Sequence, residues 1–267
     1  MLRTAAVADR FYPGDQHSLQ GMLKTMVPAA EAARPALAVV MPHAGYIFSG
    51  PVAGATVAAA QIPPEVIVLG PNHHGLGATA AVMDQGAWEM PWGTVPINAS
   101  LAAKVLEHCP DFQADELAHR REHSLEVLVP FLHYRQPELQ IVPICLSRSD
   151  YQFCQRAGAG LAAAIKAWPE PVLLAASTDM SHFESREATT TKDNLAIGHI
   201  LELDPAGLYR TVTEQRISMC GVIPTVISLI AALELGARRA ELIRYADSGE
   251  ASGDTAQVVG YAGLVIS

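Results

Sequence analysis

The sequence has few aromatic residues, few charges and no long apolar run, and each shortage excludes a class of protein. Of its 267 residues, 17% are charged and 6% are aromatic, whereas half are apolar. A disordered chain needs the opposite balance. The longest apolar stretch, Val222–Leu233, is interrupted by Pro224 and Thr225 and falls short of the roughly 18 residues that a membrane span requires. The composition therefore predicts one folded domain over residues 1–267, without a membrane span.

Basic clusters and cysteine motifs are also missing. The net charge is −9 and no basic run exceeds two residues, which argues against nucleic acid as a partner. The four cysteines contain no CxxC pair, so a zinc ribbon and a disulfide framework are both disfavoured. The first fifteen residues lack the apolar core of a signal peptide. We expect a cytoplasmic protein whose partner is a small molecule or a peptide, and a homo-oligomer stays open.

Two common enzyme classes lack their motifs here. There is no G-x-S-x-G segment of the kind that carries the nucleophile of serine hydrolases. Neither glycine-rich pattern that binds nucleotide phosphates is present.

The sequence alternates short apolar runs with amphipathic segments. The short runs predict buried strands at Ala36–Met41, Val66–Leu69, Ala78–Met83, Gln140–Ile144, Val172–Ala176 and Val258–Ile266. The amphipathic segments predict helices at Gln16–Met26, Gly50–Ala60, Ser100–Glu107, Ser124–Arg135, Tyr151–Ala167, Asp193–Leu201, Asp204–Glu214 and Pro224–Leu235. Trp88–Pro96 is expected to be a surface excursion. This alternation predicts an α/β fold with a central, mostly parallel or mixed sheet flanked by helices.

Three of the predicted strands are followed by polar segments that contain histidine. These are Pro42–Tyr46, Gly70–Gly75 and Ser177–His182. In open α/β sheets, ligands bind beyond the carboxyl ends of strands, where loops from neighbouring strands converge. We therefore expect His43, His73 and His182 to share one site, with His74 as an alternative to His73.

Cys220 is the cysteine best placed for chemistry. It precedes the predicted helix Pro224–Leu235, whose N-terminal partial positive charge favours a thiolate. His123 begins an amphipathic helix, where a capping or surface position and a role beside the site are both open. The remaining cysteines are expected to pack in the core: Cys109, Cys145 and Cys154. The remaining histidines are expected to be solvated: His17, His108, His119, His133 and His199.

Seven short segments occur together in a characteristic order. They are Ala6–Pro13, Pro42–Tyr46, Ser49–Gly50, Leu69–His74, Glu122–Glu126, Asp179–His182 and Cys220–Gly221. In these segments, and nearly end to end, the chain resembles the Memo family. That family is also known as the B component of the AmmeMemoRadiSam system, and its fold is similar to that of class III extradiol dioxygenases.

The resemblance implies a metal site formed by His43, His73 and Cys220, with Asp179 and His182 close by. Where the Memo family has this cysteine, the dioxygenases of similar fold carry a carboxylate. Two histidines and a carboxylate suit non-haem Fe(II), whereas a softer thiolate favours zinc, Cu(I) or an iron of altered potential. The expected cofactor is one transition metal ion: Fe(II), Cu(I) or Zn.

The leading hypothesis is a metal-dependent, dioxygenase-like oxidoreductase of unknown substrate. His182 would be the general acid or base, because imidazole titrates near neutral pH. Asp179 would orient an imidazole by accepting its second N–H, and His123 would act beside them. Tyr46 and His74 would line the substrate pocket, with Tyr46 donating a hydrogen bond to a bound anion; a partly buried position beside the turn is the alternative for Tyr46. Two alternatives are a non-catalytic peptide- or protein-binding module with a vestigial site, and a copper or iron carrier.

Overall fold

The computed structural model describes residues 1–29 and 33–267. Within them, twelve strands form: β1 Leu2–Arg3, β2 Ala38–Met41, β3 Glu65–Pro71, β4 Ala80–Val82, β5 Ala87–Met90, β6 Gly93–Pro96, β7 Gln113–Ala114, β8 Gln140–Leu146, β9 Val172–Ser177, β10 His182–Glu184, β11 Ala240–Asp247 and β12 Val258–Ile266. The same residues form nine α-helices: α1 Gln16–Met26, α2 Tyr46–Ala59, α3 Ala99–His108, α4 Val129–Arg135, α5 Tyr151–Lys166, α6 Arg186–Leu201, α7 Pro205–Glu214, α8 Val222–Glu234 and α9 Gly249–Ser252. Short 3₁₀ turns cover Leu117–His119 and Glu126–Leu128.

The main sheet has nine strands and a parallel centre. Strands β2, β9, β3 and β8 lie side by side in parallel, and β12 and β4 flank them in antiparallel orientation. The register pairs Met41 with Ser177 and Leu69 with Ala176, so three neighbouring strands end at one level. The mixed sheet flanked by helices that the sequence predicts is confirmed.

Side chains of the central strands alternate between two cores. In β3, Val66 and Val68 face the core that contains α1, α2 and α4, whereas Ile67 and Leu69 face the core of α3, α5, α6, α7 and α8. Because both faces are covered, every position of these strands can be apolar, which is why the runs appear unbroken in the sequence. Among the described residues, no helix has both the length and the apolar character needed to cross a bilayer.

Two helices differ most from the sequence prediction: α6 begins at Arg186 rather than Asp193, and the predicted helix Ser124–Arg135 is a 3₁₀ turn followed by α4. Further differences concern the strands. The expected excursion at Trp88–Pro96 is the hairpin of β5 and β6, which pairs with β1 in a small second sheet and buries the Trp88 ring completely. Strand β11 is a further strand that the sequence did not predict. Polar and charged residues interrupt its apolar pattern because it lies at the edge of the sheet, half exposed.

One buried carboxylate, that of Glu126, fixes the N-terminal segment to the body of the protein. It accepts hydrogen bonds from the Arg3 guanidinium (2.6 Å), the Tyr12 hydroxyl (2.6 Å), and the backbone N–H groups of Ala6 (2.8 Å) and Val7 (3.1 Å). The side chains of Arg3 and Glu126 are 4% and 0% exposed. A charge at this depth is tolerated only when its bonding capacity is filled, so this network determines where the N-terminal segment lies.

Replacing Glu126 by Gln should destabilise the fold by about 3–5 kcal/mol, because it leaves the Arg3 charge buried without a counter-charge. Urea unfolding measures the change in free energy. The control is Glu250→Gln, which removes the partner of Arg244 in an exposed ion pair and should cost less than about 1 kcal/mol. Equal losses for the two variants would show that the buried pair is not a special constraint.

Candidate metal centre

Three imidazoles meet where the parallel strands end. His43 and His73 each lie two residues beyond their strands, β2 and β3, and His123 precedes the turn at Glu126–Leu128. Their ring centroids are 4.6 to 5.5 Å apart. One nitrogen from each ring lies within 4.8 Å of the others, close enough for the three to hold a metal ion. The expectation that loops after separate strands converge here is met for His43 and His73.

A chain of hydrogen bonds orients the His43 ring. The Ser177 hydroxyl donates to the carbonyl oxygen of Ser124 (2.6 Å), so its oxygen is free to accept the N–H of His43 Nδ1 (2.7 Å). His43 Nε2 is thereby left unprotonated, as a donor atom for a metal. The ring is 2% exposed, and this burial, together with the charge of His73, lowers the pKa of His43 to about 3.

Glu122 holds the His73 side of the centre. Its buried carboxylate accepts from the backbone N–H of His73 (2.7 Å), from His73 Nδ1 (2.8 Å), and from the backbone N–H groups of His123 (3.0 Å) and Ser124 (2.9 Å). Burial alone would raise its pKa, but the hydrogen bond and charge of His73 and the bond from Ser124 outweigh it, so the pKa of Glu122 is well below its usual range. His73 therefore also presents Nε2.

His123 completes the trio from a different part of the chain. Its ring stacks on His73 with centroids 4.6 Å apart and contacts Phe11 at 4.9 Å. Its Nδ1 is 3.4 Å from Glu122 Oε1. Burial and the neighbouring His43 lower the pKa of His123 to about 4. The sequence analysis left both a capping or surface position and a role beside the site open for His123, and the structure brings its ring within reach of the metal-binding point.

Cys220 lies against His43 rather than among the three imidazoles. Its Sγ is 3.4 Å from His43 Nε2 and 3.3 Å from the backbone nitrogen of Asp179, which donates to it. Gly221 allows this approach, since a Cβ there would be 2.1 Å from the Ser177 carbonyl oxygen. The expectation of a thiolate is wrong for the metal-free protein. Burial, reinforced by the charge of Asp179, raises the pKa of Cys220 and outweighs the hydrogen bonds that would lower it.

Asp179 and His182 lie beside the centre on the loop after β9. The carboxylate of Asp179 accepts from the backbone N–H of His43 (2.8 Å), so the ring partner of His43 is Ser177 instead. Burial raises the pKa of Asp179. The His182 ring is held by the Ser218 carbonyl oxygen, which accepts from Nδ1 (3.0 Å) and leaves Nε2 free.

Of the two residues predicted to line the substrate pocket, Tyr46 is buried and His74 is exposed. Tyr46 is buried against Tyr12 and Phe131, and its hydroxyl donates to the Val127 carbonyl oxygen (2.8 Å). The prediction that Tyr46 donates to a bound anion is therefore wrong, because that proton is already used by the backbone. His74 is exposed next to His73.

Sequence reasoning missed Glu122, Ser177 and Ser124, the residues that orient the rings. All three are fully or almost fully buried. The sequence contains a signal for two of them, Ser177 and Glu122. Ser177 is the polar residue that ends an apolar run, and Glu122 belongs to the segment Glu122–Glu126 that supported the family resemblance.

Comparison with known proteins identifies the family. A family model described as Memo-like protein matches residues 3–265. MEMO1 family proteins of Methanopyrus kandleri and Aquifex aeolicus are 39% and 38% identical to the chain, covering 99% of it and 99% and 98% of their own lengths. The chain belongs to the Memo family. Its fold is shared with the uncharacterized protein JW3007 from Escherichia coli K12, with a TM-score of 0.52 and 16% identity over 85% of this chain and 98% of that one.

Replacing Glu122 by Gln should weaken metal binding by about 10- to 100-fold, because the His73 ring loses the carboxylate that fixes its tautomer and raises its basicity. Titration of the metal-free protein with Zn²⁺ against a competing chelator measures the dissociation constant. Glu138→Gln, a change at an exposed glutamate, is the matched control and should leave it unaltered. An unchanged affinity in Glu122→Gln would contradict the assigned role.

Proposed function

We propose that this Memo-family protein holds one transition metal ion through His43, His73 and Cys220, and that it is a metal-dependent oxidoreductase. The observation that carries the proposal is the fixed tautomer of two rings. Ser177 and Glu122 each accept the Nδ1 proton, so both Nε2 atoms are left as lone-pair donors. Both rings are thus set to present Nε2 to an ion before it binds.

The spacing of Cys220 and His43 fits two donors on one ion. Metal–nitrogen bonds of about 2.0–2.1 Å and metal–sulfur bonds of about 2.3 Å at a tetrahedral angle separate the donor atoms by about 3.5 Å. The distance from Cys220 Sγ to His43 Nε2 is 3.4 Å. His123 can reach the same point and is a fourth candidate ligand.

A bound ion would supply Lewis-acid and, for iron or copper, one-electron chemistry. The protein's own residues would control access and protons. In the neutral His182 ring that donates Nδ1–H to the Ser218 carbonyl oxygen, the lone pair is on Nε2, which can take a proton from a substrate and return it. The His73 side chain is 30% exposed, which leaves an approach to the centre from solvent.

Replacing Cys220 by Ser should lower metal occupancy and remove one proton released per ion bound. The raised pKa of Cys220 means that its thiol is protonated at neutral pH, so a metal must displace that proton. Between pH 6 and 8, wild-type affinity should therefore rise with pH about tenfold per unit more steeply than that of the variant. Calorimetry in buffers of different ionisation enthalpy counts the protons.

Cys145→Ser is the matched control, since Cys145 is buried in the core and its Sγ faces the Ala118 carbonyl oxygen. It should leave both occupancy and proton release unchanged. If His123→Asn lowers occupancy and Cys220→Ser does not, the ligand set is the three histidines and the thiol is a neighbour only.

Oxidoreductase activity is tested by oxygen uptake. Protein purified anaerobically and loaded with Fe(II) should consume oxygen with catechols as probes, and His182→Gln should lower the rate by about 100-fold or more while metal occupancy stays the same. His199→Gln, which changes a histidine on α6, is the control. Full occupancy without oxygen uptake across a panel of reduced organic substrates would rule out the oxidoreductase.

A metal carrier is the second candidate function. It is favoured by the fourth donor, because His123 and Cys220 together with His43 and His73 would close a tetrahedral shell and leave no position for substrate. Tight Cu(I) binding without oxygen uptake, weakened in both His123→Asn and Cys220→Ser, would support the carrier.

A further inference from the structure

Phe183 has a left-handed backbone conformation, which is uncommon for a bulky side chain. Among the described residues, four that are not glycine have positive φ: Asp9, Phe183, Leu203 and Arg216. Leu203 and Arg216 directly follow the ends of α6 and α7, where a left-handed residue commonly ends a helix. Asp9 accepts a hydrogen bond from Gly14 through its side chain. Phe183, with φ of 60°, has neither kind of compensation, and for a bulky residue this is strained.

A β-bulge produces this conformation and turns the ring outward. His182 pairs with Val259 and Glu184 with Val258, so Phe183 is the extra residue of β10. Bulges are common beside active sites, where they redirect a side chain. At 71%, Phe183 has the largest exposed fraction among the large apolar residues of the described chain. A left-handed conformation is costly for a bulky residue, and such strained positions cluster at functional sites, which points to a function for the side chain that this bulge turns outward.

The ring lies next to the proposed acid–base group. Its centroid is 5.7 Å from that of His182, in an edge-on arrangement. His182 is itself fixed by two hydrogen bonds to Ser218, two residues before Cys220. Phe183 therefore extends from a rigid part of the site.

A second exposed apolar side chain follows His43. Ile47 lies in the first turn of α2 and is 62% exposed. Phe48, its neighbour, packs in a small cluster with Val259, the residue that pairs with His182. The first turn of α2 and strand β10 are thus joined beside the centre, and each carries an exposed apolar residue.

We propose that Phe183 is a specificity-determining residue that contacts an apolar, planar group of a small-molecule ligand. The ligand's polar head would face the histidines, and its apolar part would extend outward over the Phe183 ring. Aromatic faces recognise such groups by offset or edge-on packing. This inference rests on the proposed function, because it assumes that a bound ion leaves a position for the ligand's head.

The test uses Zn²⁺-loaded protein, which binds ligands without redox turnover, and two probes that share one head. Catechol is the head alone, and 4-phenylcatechol adds an apolar ring. We expect calorimetry to give about five- to tenfold tighter binding of 4-phenylcatechol to the wild type. Phe183→Asn should reduce this preference to about one, and Phe183→Tyr should keep it. Catechol itself should bind equally to all three proteins.

Leu242→Asn is the control for non-specific binding, since Leu242 is an exposed apolar residue on β11, and it should keep the preference. Equal binding of the two probes to the wild type, or a preference that survives in Phe183→Asn, overturns the role of Phe183 alone. Loaded protein that binds neither probe overturns the open metal position of the proposed function, and this inference with it.

Thermal unfolding of the metal-free protein tests the strain separately. Asn tolerates the left-handed region, so Phe183→Asn should raise Tm by about 2–4 °C. A lower Tm would show that the Phe183 ring stabilises the fold. It would contradict the inference that the strained conformation is kept because the ring contacts a ligand.

Discussion

Two hydrogen bonds decide which nitrogen His43 and His73 present, and the rest of the site depends on them. Ser177 and Glu122 accept the Nδ1 protons of His43 and His73, so Nε2 is the available donor in both rings. The bond to Ser177 has a direction because its own proton is committed to the Ser124 carbonyl oxygen. A neutral imidazole of fixed tautomer needs no reorganisation before it binds an ion, and burial keeps His43 neutral well below physiological pH.

The segment from Glu122 to Glu126 couples this centre to the fold. Glu122 bonds the backbone of the His73 loop, and Glu126, four residues later, bonds the N-terminal segment through Arg3 and Tyr12. Gly70 permits the segment to pack on β3, since a Cβ there would be 2.7 Å from Ser124 Oγ. Both carboxylates are buried, so neither the His73 loop nor the N-terminal segment can move away without leaving a buried charge unsatisfied. The N-terminal segment and the ring positions are therefore parts of one cooperative unit.

The sequence predicts what depends on local pattern. The central strands are recognisable because both of their faces are buried, which makes their sequences continuously apolar. The convergence of the polar residues that follow them is predictable because β2, β3 and β9 end at the same edge of the sheet. Long-range pairings lie beyond such reasoning. Glu122, for example, accepts a hydrogen bond from His73, which is 49 positions away in the sequence. His119 was expected to be solvated, yet it is 1% exposed near Trp88, because the hairpin of β5 and β6 covers it. The helix-end argument for Cys220 failed for a related reason, since it considered the dipole and omitted desolvation.

The raised pKa of Cys220 bears on why a cysteine, rather than a carboxylate, stands at this position. A thiolate exposed to oxygen is the form that oxidises, whereas a protonated thiol is comparatively inert. Burial raises the pKa of the Cys220 thiol, which lies beside His43, and so favours the protonated form in the metal-free protein. If Cys220 is a ligand, as we propose, an ion has to displace that proton, which disfavours weakly bound hard cations and favours soft ones that form strong bonds to sulfur. A carboxylate at the same position would present no such proton at neutral pH, and its affinity for hard ions would be available at once. As a ligand, the Cys220 thiol would thus act on metal selection through the proton that it retains.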